Sequence, residues 1–344
     1  MDALTARVPS STNAASDRRL WSGHLRLVCL YAFTLLAVAT FVFILPRLMP
    51  GDPLQSLDDP TSGTFLSDPQ VRARVSAYYG LDQSLPTQYF AYLSDLFHGN
   101  LGWSIAQNVT VSQLIGNRLP WTLLLMGCAL LIASTLSFVA GINAAWHRGK
   151  AVDRSLIALL STGRTVPEYA TAGLLLTCFA VVVPILPLSG ARTSFATYSN
   201  PLAAVGDVFA HLVLPLTALT LGLAGRKFLI VRNAAISTLG EDYMLLGRAK
   251  GLPRRRLKYR YSGRNSLLPF VTALGAQVGF AVGGSIFVEA VFVYPGMGTL
   301  VYDAVNARDY PVLQGSFLVL AGVVLLANLA VELLYPKVDP RVRR

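Results

Sequence analysis

Six stretches of the chain are apolar for long enough to cross a bilayer as helix. A hydrocarbon core about 30 Å thick needs roughly 20 apolar residues at helical rise. Residues 27–46 carry no charge, nor do 119–146, 169–191, 208–225, 265–288 and 312–331. The third stretch is expected to begin as helix near Ser155. Arg164 and Glu168 near its start are spaced to pair along one helix face. The fourth is interrupted only by His211. The pattern predicts an all-α polytopic membrane protein with six transmembrane helices. The first stretch resembles a cleaved signal at Ala37-Val38-Ala39, but its apolar run continues through Phe41, Phe43 and Leu45, so a retained anchor is expected.

Composition agrees. The chain is 53% hydrophobic and 14% charged, against about 25% charged for a soluble domain. Its formal net charge of +11 suits either nucleic acid or an anionic membrane face, and the distribution of charge decides. Lys and Arg collect near alternate span ends: Arg18, Arg19 and Arg26, then Arg148, Lys150 and Arg154, then the 226–264 connection, then Lys337, Arg341, Arg343 and Arg344. The 226–264 connection holds eleven basic residues and only Glu241 and Asp242 as acids, whereas 51–118 has six Asp and three Arg. The positive-inside rule then puts both termini in the cytosol and 51–118 outside. Nucleic acid is not expected as a partner. Cys29, Cys128 and Cys178 lie in apolar runs without metal or disulfide spacing and read as packing residues.

Two connections carry structure of their own. Residues 84–97 suggest a helix with Tyr89, Tyr92, Leu93 and Leu96 on one face. The outer segment therefore reads as a small folded cap, equally a packed loop or a docking site. In the inner connection, Thr238-Leu239-Gly240-Glu241 reads as a capping box and Gly251-Leu252-Pro253 as a stop. The helix between them, about 240–251, is too short and too charged to span, and it suits docking into a groove on a cytosolic motor. The basic stretch that follows, Arg254 to Arg264, reads as a contact for lipid headgroups.

No catalytic constellation is present. There is no G-x-x-x-x-G-K-[ST] loop and no HExxH. Ser285 lacks a G-x-S-x-G setting, and His211, its only candidate base for an intramembrane hydrolase, reads as a helix contact. The chain is therefore not expected to be an enzyme or to bind a cofactor or metal. Gly275, Gly279 and Gly283 recur on one face of the fifth span and predict close packing against a helix or subunit. Glu289 and Glu332 sit at span ends and are expected to be interfacial. Glu289, Tyr294, Pro295 and Gly296 open an irregular segment, 289–298. Such backbone is tolerated at membrane depth only against protein or water, which makes it a candidate gate or pore wall.

Several blocks resemble one family: the inner-membrane permease subunits of dipeptide and oligopeptide ATP-binding-cassette importers, the first of their two permeases. They are Leu45-Pro46-Arg47-Leu48-Met49-Pro50-Gly51-Asp52-Pro53; Tyr79-Gly80-Leu81-Asp82 with Leu85-Pro86-Thr87-Gln88-Tyr89 and Gly99-Asn100-Leu101-Gly102; and Asp242-Tyr243 through Arg248-Ala249-Lys250-Gly251 with Arg264-Asn265 and Leu268-Pro269. Phe287 to Phe292, Tyr294-Pro295-Gly296 and Arg308-Asp309-Tyr310-Pro311 also fit. The match spans about 26–342. It implies a type I importer permease fold, with a second permease, two ATP-binding subunits that carry ATP and magnesium, and an extracytoplasmic solute-binding protein. The coupling helix maps to 240–251, with Asp242, Tyr243, Leu246, Gly247, Arg248, Ala249, Lys250 and Gly251 as the ATPase contact. One departure is that the wider motif's Glu-Ala-Ala is replaced by Leu245-Leu246-Gly247.

The expected organisation is a disordered cytosolic tail over 1–25, a first helix plus extracytoplasmic segment over 26–118, a core of helices two to six over 119–336, and a short cytosolic tail over 337–344. The expected location is the plasma membrane of a bacterium. Import of nickel, glutathione or oligosaccharide by the same machinery is the alternative within the family. An ion-gradient-driven secondary transporter is the alternative outside it. That reading requires ionisable residues at mid-span and internal repeats, which the sequence does not display.

Overall fold

A computed structural model describes residues 12–48, 69–78 and 82–338. Residues 49–53 and 79–81, which carry part of the resemblance, lie outside the described residues, as do 1–11 and 339–344. Among the described residues the secondary structure is helical, apart from one isolated bridge between Trp103 and Thr110. The helices are α1 (Thr12–Leu48), α2 (Pro69–Tyr78), α3 (Leu85–Phe97), α4 (Val111–Trp146), α5 (Ala151–Thr165), α6 (Glu168–Leu176), α7 (Pro201–Leu239), α8 (Asp242–Ala249), α9 (Arg254–Arg256), α10 (Arg264–Val291), α11 (Met297–Ala307) and α12 (Tyr310–Val338). Wider π-turns extend α6 through Thr177–Val182 and lead into α10 through Leu257–Gly263.

Four helices are long and apolar enough to cross a membrane: α1 from Cys29, α4, α7 and α12. The number rises to six if each of two bent pairs counts as one span. The first pair, α5 and α6, turns by 103°. Pro167 causes this turn, because the residue before a proline is pushed out of the helical region. Val166 accordingly sits at φ −83°, ψ 126°. The bend removes the register that would have paired Arg164 with Glu168. No ion pair joins them, and Glu168 instead packs close to Gly222 and Gly284. The second pair bends by 52° between Gly275 and Gln277. α1 begins at Thr12, inside the segment expected to be a disordered tail, and no Pro or Gly interrupts it before Gly23.

α7 is the centre of the bundle. It packs against α4, α5, α6 and α10, while α1 lies outside, on α12. α4 offers it small residues: Ala129, Ala133, Ala140 and Ala144 are all buried. Small faces let helix backbones approach, which matters where lipid supplies no hydrophobic drive for helices to associate. The approach is close enough for Ser137 Oγ on α4 to donate to the Ala224 carbonyl of α7 at 2.8 Å. At Gly225 a Cβ would overlap the Leu160 carbonyl oxygen of α5. Large apolar side chains face outward instead. Phe33 and Phe41 on α1, Leu131 on α4 and Leu326 on α12 are all more than half exposed, as a lipid-facing surface allows.

The fourth span does not stop at residue 225. α7 continues to Leu239, because its basic residues find partners on neighbouring helices. Arg232 makes a two-pronged contact with Asp153 of α5, Nε to Oδ1 at 2.7 Å and an Nη to Oδ2 at 2.8 Å. Asp153 also accepts from the Gly149 amide at 2.9 Å. Lys227 is fully buried and donates to Ser134 Oγ on α4 at 2.7 Å. Arg226 lies over the Phe280 ring of α10, 4.1 Å from its centroid.

On the other side of the bundle, α3 presents Tyr89, Tyr92, Leu93 and Leu96 as its half-buried face. Tyr89 and Tyr92 pack on Phe43 of α1 with ring centroids 5.1 and 5.6 Å apart. Burial pushes the Tyr92 hydroxyl up to about 12, so the face stays uncharged at any ordinary pH.

The contact at Gly225 generates a stability prediction. Gly225→Val drives a branched side chain into the α5 backbone and is expected to cost about 1–3 kcal/mol. Gly173 of α6 has open space around it, and Gly173→Ala is expected to leave stability unchanged. Thermal unfolding of the purified protein in detergent compares the two.

Candidate functional site

Two parts of the fold bring together the residues singled out by sequence, one at each end of the bundle.

The first is α8, the short helix between α7 and the basic stretch. Its eight residues span about 12 Å. Thr238 is not its cap. Thr238 sits in the last turn of α7, where its Oγ1 donates to the Ala235 carbonyl and meets Ser262 Oγ at 2.7 Å. The cap position falls to Glu241, and the helix starts at Asp242. It ends where sequence placed the stop. Gly251 adopts φ +68°, a left-handed conformation that favours glycine, and its amide closes on the Arg248 carbonyl at 3.0 Å.

α8 has an anchored face and a free face. Met244 is fully buried and Gly247 is buried beside it. A Cβ on Gly247 would lie 2.6 Å from Leu257 Cδ2, so glycine lets the helix settle onto the start of the π-turn. Asn265 of α10 donates to the Tyr243 hydroxyl at 3.1 Å. Burial, with the Glu241 carboxylate close by, pushes the Tyr243 phenol above its ordinary value, although the Asn265 hydrogen bond works the other way. On the free face, Leu245 and Leu246 are 67% and 55% exposed. Asp242, Arg248, Ala249, Lys250 and Gly251 are exposed as well. The helix thus turns two leucines outward, away from its own fold.

The second is the turn between α10 and α11. Glu289 was expected at an interface, but it is fully buried. Its carboxylate accepts from Thr122 Oγ1 of α4 at 2.7 Å and from the Gly298 amide at the start of α11 at 2.6 Å. The Met297 amide donates to Thr122 Oγ1 at 2.7 Å. One carboxylate and one hydroxyl thus satisfy two of the amides that a helix N-terminus leaves unpaired. They also put negative charge where the helix dipole favours it. Glycine is required at Gly296, where a Cβ would lie 2.6 Å from Thr122 Oγ1, and at Gly298, where it would lie 2.5 Å from Ile286 Cα.

Tyr294 is buried under Trp121, with rings 6.0 Å apart and edge-on, and Pro295 is half-buried. Of the candidate gate residues, Glu289, Tyr294 and Gly296 are therefore turned into the chain's own core. Val293 is 64% exposed.

The glycine face of α10 divides. A Cβ on Gly275 would lie 3.6 Å from Asn328 and Val331 of α12 and one on Gly279 4.0 Å from Val324, whereas one on Gly283 would meet nothing within 4 Å. Ser285 donates to the Val282 carbonyl of its own helix, and His211 contacts the Asp207 carbonyl of its own. No hydrogen bond joins the two, so the hydrolase alternative lacks its nucleophile–base contact.

Sequence reasoning missed several polar partners. Thr122 lies in an uncharged run with nothing to mark it. Asp309 accepts from Ser104 Oγ at 2.5 Å and the Ala106 amide at 3.1 Å, tying the α11–α12 corner to the outer loop. Its place in a family-like block was a signal of importance, though not of its partner. Asp153 was legible only as an acid among basic residues.

Removing the Glu289 side chain leaves buried donors unpaired. Glu289→Ala is expected to cost about 3 kcal/mol and Thr122→Val about 1–2 kcal/mol. Because both act in one network, the double variant is expected to cost clearly less than the sum. Unfolding of the three variants in detergent measures this, and additive losses would contradict the network.

Comparison with known proteins assigns the chain to a family. Residues 136–344 match the family described as binding-protein-dependent transport system inner membrane component. A Brucella suis biovar 1 protein named as a peptide permease is 38% identical over 90% of this chain and 95% of its own length. The dipeptide transport system permease protein of Escherichia coli K12 is 33% identical over 93% of this chain and 98% of its own. The glutathione transport system permease protein of Salmonella paratyphi A is 36% identical over 90% and 95%. The chain belongs to the family of binding-protein-dependent transport system inner membrane components.

Proposed function

We propose that this chain is one of two membrane-spanning subunits of an ATP-driven importer of di- and oligopeptides. The observation that carries the proposal is α8: a short helix anchored by Met244 and Gly247, with Leu245 and Leu246 facing outward between two spans. The absence of a phosphate-binding loop from the sequence requires another chain to supply the energy. In this reading two ATP-binding subunits grip the free face of α8. Asn265 and Leu257 join α8 to the base of α10, so a movement of α8 is passed to the spans. ATP binding closes the ATPases and the spans alternate between outward and inward access.

The remaining partners follow from the same reading. Gly283 and the exposed Phe280 and Phe287 suit a second permease packed along α10. The outer loop latched by Asp309, together with α3, suits an extracytoplasmic solute-binding protein. The turn over 289–298 serves as a fixed wall at the outer end of the path, because its polar groups are already consumed in holding α11. The basic residues around α8 support a cytosolic setting for this end. Peptide as the solute class is supported by relatives named for peptides and dipeptides and by one named for glutathione.

Buried ionisable groups in the spans would favour an ion-driven transporter. Lys227 and Glu289 are such groups, but each is occupied in a contact between helices.

Two substitutions on α8 test the docking reading. Leu246→Asp leaves the anchored face intact and is expected to lower peptide uptake at least tenfold by weakening ATPase attachment. Gly251→Val forces a β-branched residue into a left-handed turn and is expected to uncouple ATP hydrolysis from uptake. Normal, fully coupled uptake by both variants, measured in proteoliposomes of the whole transporter, sinks the proposal.

A further inference from the structure

The stretch from Pro253 to Arg260 has a feature that docking at α8 does not use. Pro253, Tyr259 and the apolar stems of Arg255, Arg256 and Arg260 line a shallow, open depression of about 490 Å³, with the guanidinium groups at its rim. All three arginines are exposed. Among the described residues none of their guanidinium groups makes a hydrogen bond or an ion pair. Like charges on one face repel weakly through water, and an anion that joins them relieves the repulsion.

The backbone fixes where that anion comes from. Leu257–Gly263 runs without a break into α10 and belongs with it to one of the two bent helix pairs that bring the number of spans to six when each pair counts as one. Leu257, Ser262 and Gly263 form the buried side of this turn, so the arginines point away from the bundle. From Arg260 to the first apolar pair, Leu267-Leu268, is seven residues, about 10 Å of helix. The headgroup layer is roughly 5–8 Å deep on each side of the hydrocarbon core. The Arg260 side chain reaching down the helix bridges the difference, while Arg255 and Arg256, about a turn further from the apolar pair, meet the outermost part of the headgroup layer. Tyr259, 40% exposed, adds an aromatic of the kind that settles at the membrane interface. Guanidinium groups bind phosphate through paired hydrogen bonds.

We propose that Arg255, Arg256 and Arg260 form a binding site for the phosphate of an anionic lipid headgroup, set at the base of α10 on the same rigid unit as α8. Leu257 faces the opposite way from this site and seats α8 at Gly247. Lys258 holds the stretch to α4 through Asn143 Oδ1. A headgroup held on the outer side therefore braces the support on which α8 rests. The lipid site does not depend on the docking reading of α8, and its consequence for coupling does.

The test uses the whole transporter in nanodiscs of phosphatidylcholine, with or without phosphatidylglycerol. The variants are R255Q/R256Q/R260Q, the corresponding triple lysine variant, and the single variants R255Q and R260Q. Native mass spectrometry reads the lipids retained. Preference for phosphatidylglycerol is expected to fall roughly fivefold for each arginine replaced by glutamine. Lysine is expected to keep part of it, because charge survives without the paired geometry. Stimulation of solute-dependent ATP hydrolysis by phosphatidylglycerol is expected to disappear in the triple glutamine variant.

Unchanged lipid preference in the glutamine variants overturns the site. So does displacement of the retained lipid by inorganic phosphate, which would make this a free-anion site. Loss of the ATP-binding subunits with lipid preference intact would assign the arginines to the ATPase instead. Reduced lipid preference with unchanged ATP hydrolysis would keep the site and remove the bracing of α8. The single variants give the same reading if the triple variants do not assemble.

Discussion

A carboxylate buried inside a membrane protein must be held by donors, and the way Glu289 is held sets the arrangement of the end of the bundle where α11 begins. Burying an unpaired charge costs several kcal/mol, so the side chain settles where amides and a hydroxyl converge. The donors available are the opening amides of α11 and the hydroxyl of Thr122. Satisfying the charge therefore fixes the start of α11 against α4 and forces the sharp turn at Gly296. α11 in turn sets the corner at Arg308 and Asp309, from which α12 begins. Asp309 repeats the device on a smaller scale by receiving the outer loop at Ser104 and Ala106. Two acids thus connect α4, α10, α11, α12 and the outer loop.

The inner half rests on a different balance. α7 carries three cationic residues past the point where its apolar run ends, and each is matched by a neighbouring helix: Arg226 by an aromatic ring, Lys227 by a serine, Arg232 by Asp153. A cation left bare at this depth would end the helix or pull it toward water. With partners in place, α7 continues to Leu239 and delivers the chain to α8. α8 then has little left to bury, and its leucines remain outside. The exposed face of α8 is a result of how completely the elements beside it are satisfied.

These two halves meet along α4 and α7, where small residues allow backbone contact and Ser137 bridges the helices. The fold therefore holds its two ends by polar contacts and joins them through close-packed helices.

The chain's hydrophobic pattern by itself determined that it crosses a membrane, about how many times, and where its charges collect. These follow from composition along the chain and need no partner. It also marked α3 and its buried face, the end of α8 at Gly251, and the tight turn after Glu289, because proline, glycine and helical periodicity act locally. Tertiary structure alone decided the rest. Glu289 looked interfacial because its position in the sequence is terminal, but Thr122, 167 residues away, takes it into the core. Thr238 resembled a cap because its neighbours fit the motif, yet α7 runs through it once Arg232 has found Asp153. Arg164 and Glu168 had the right spacing, and Pro167 between them turned the backbone. In each case the local signal was sound, and a polar partner far along the chain or a single bend outweighed it. Inside a membrane an unpaired polar group costs more than a local preference can repay.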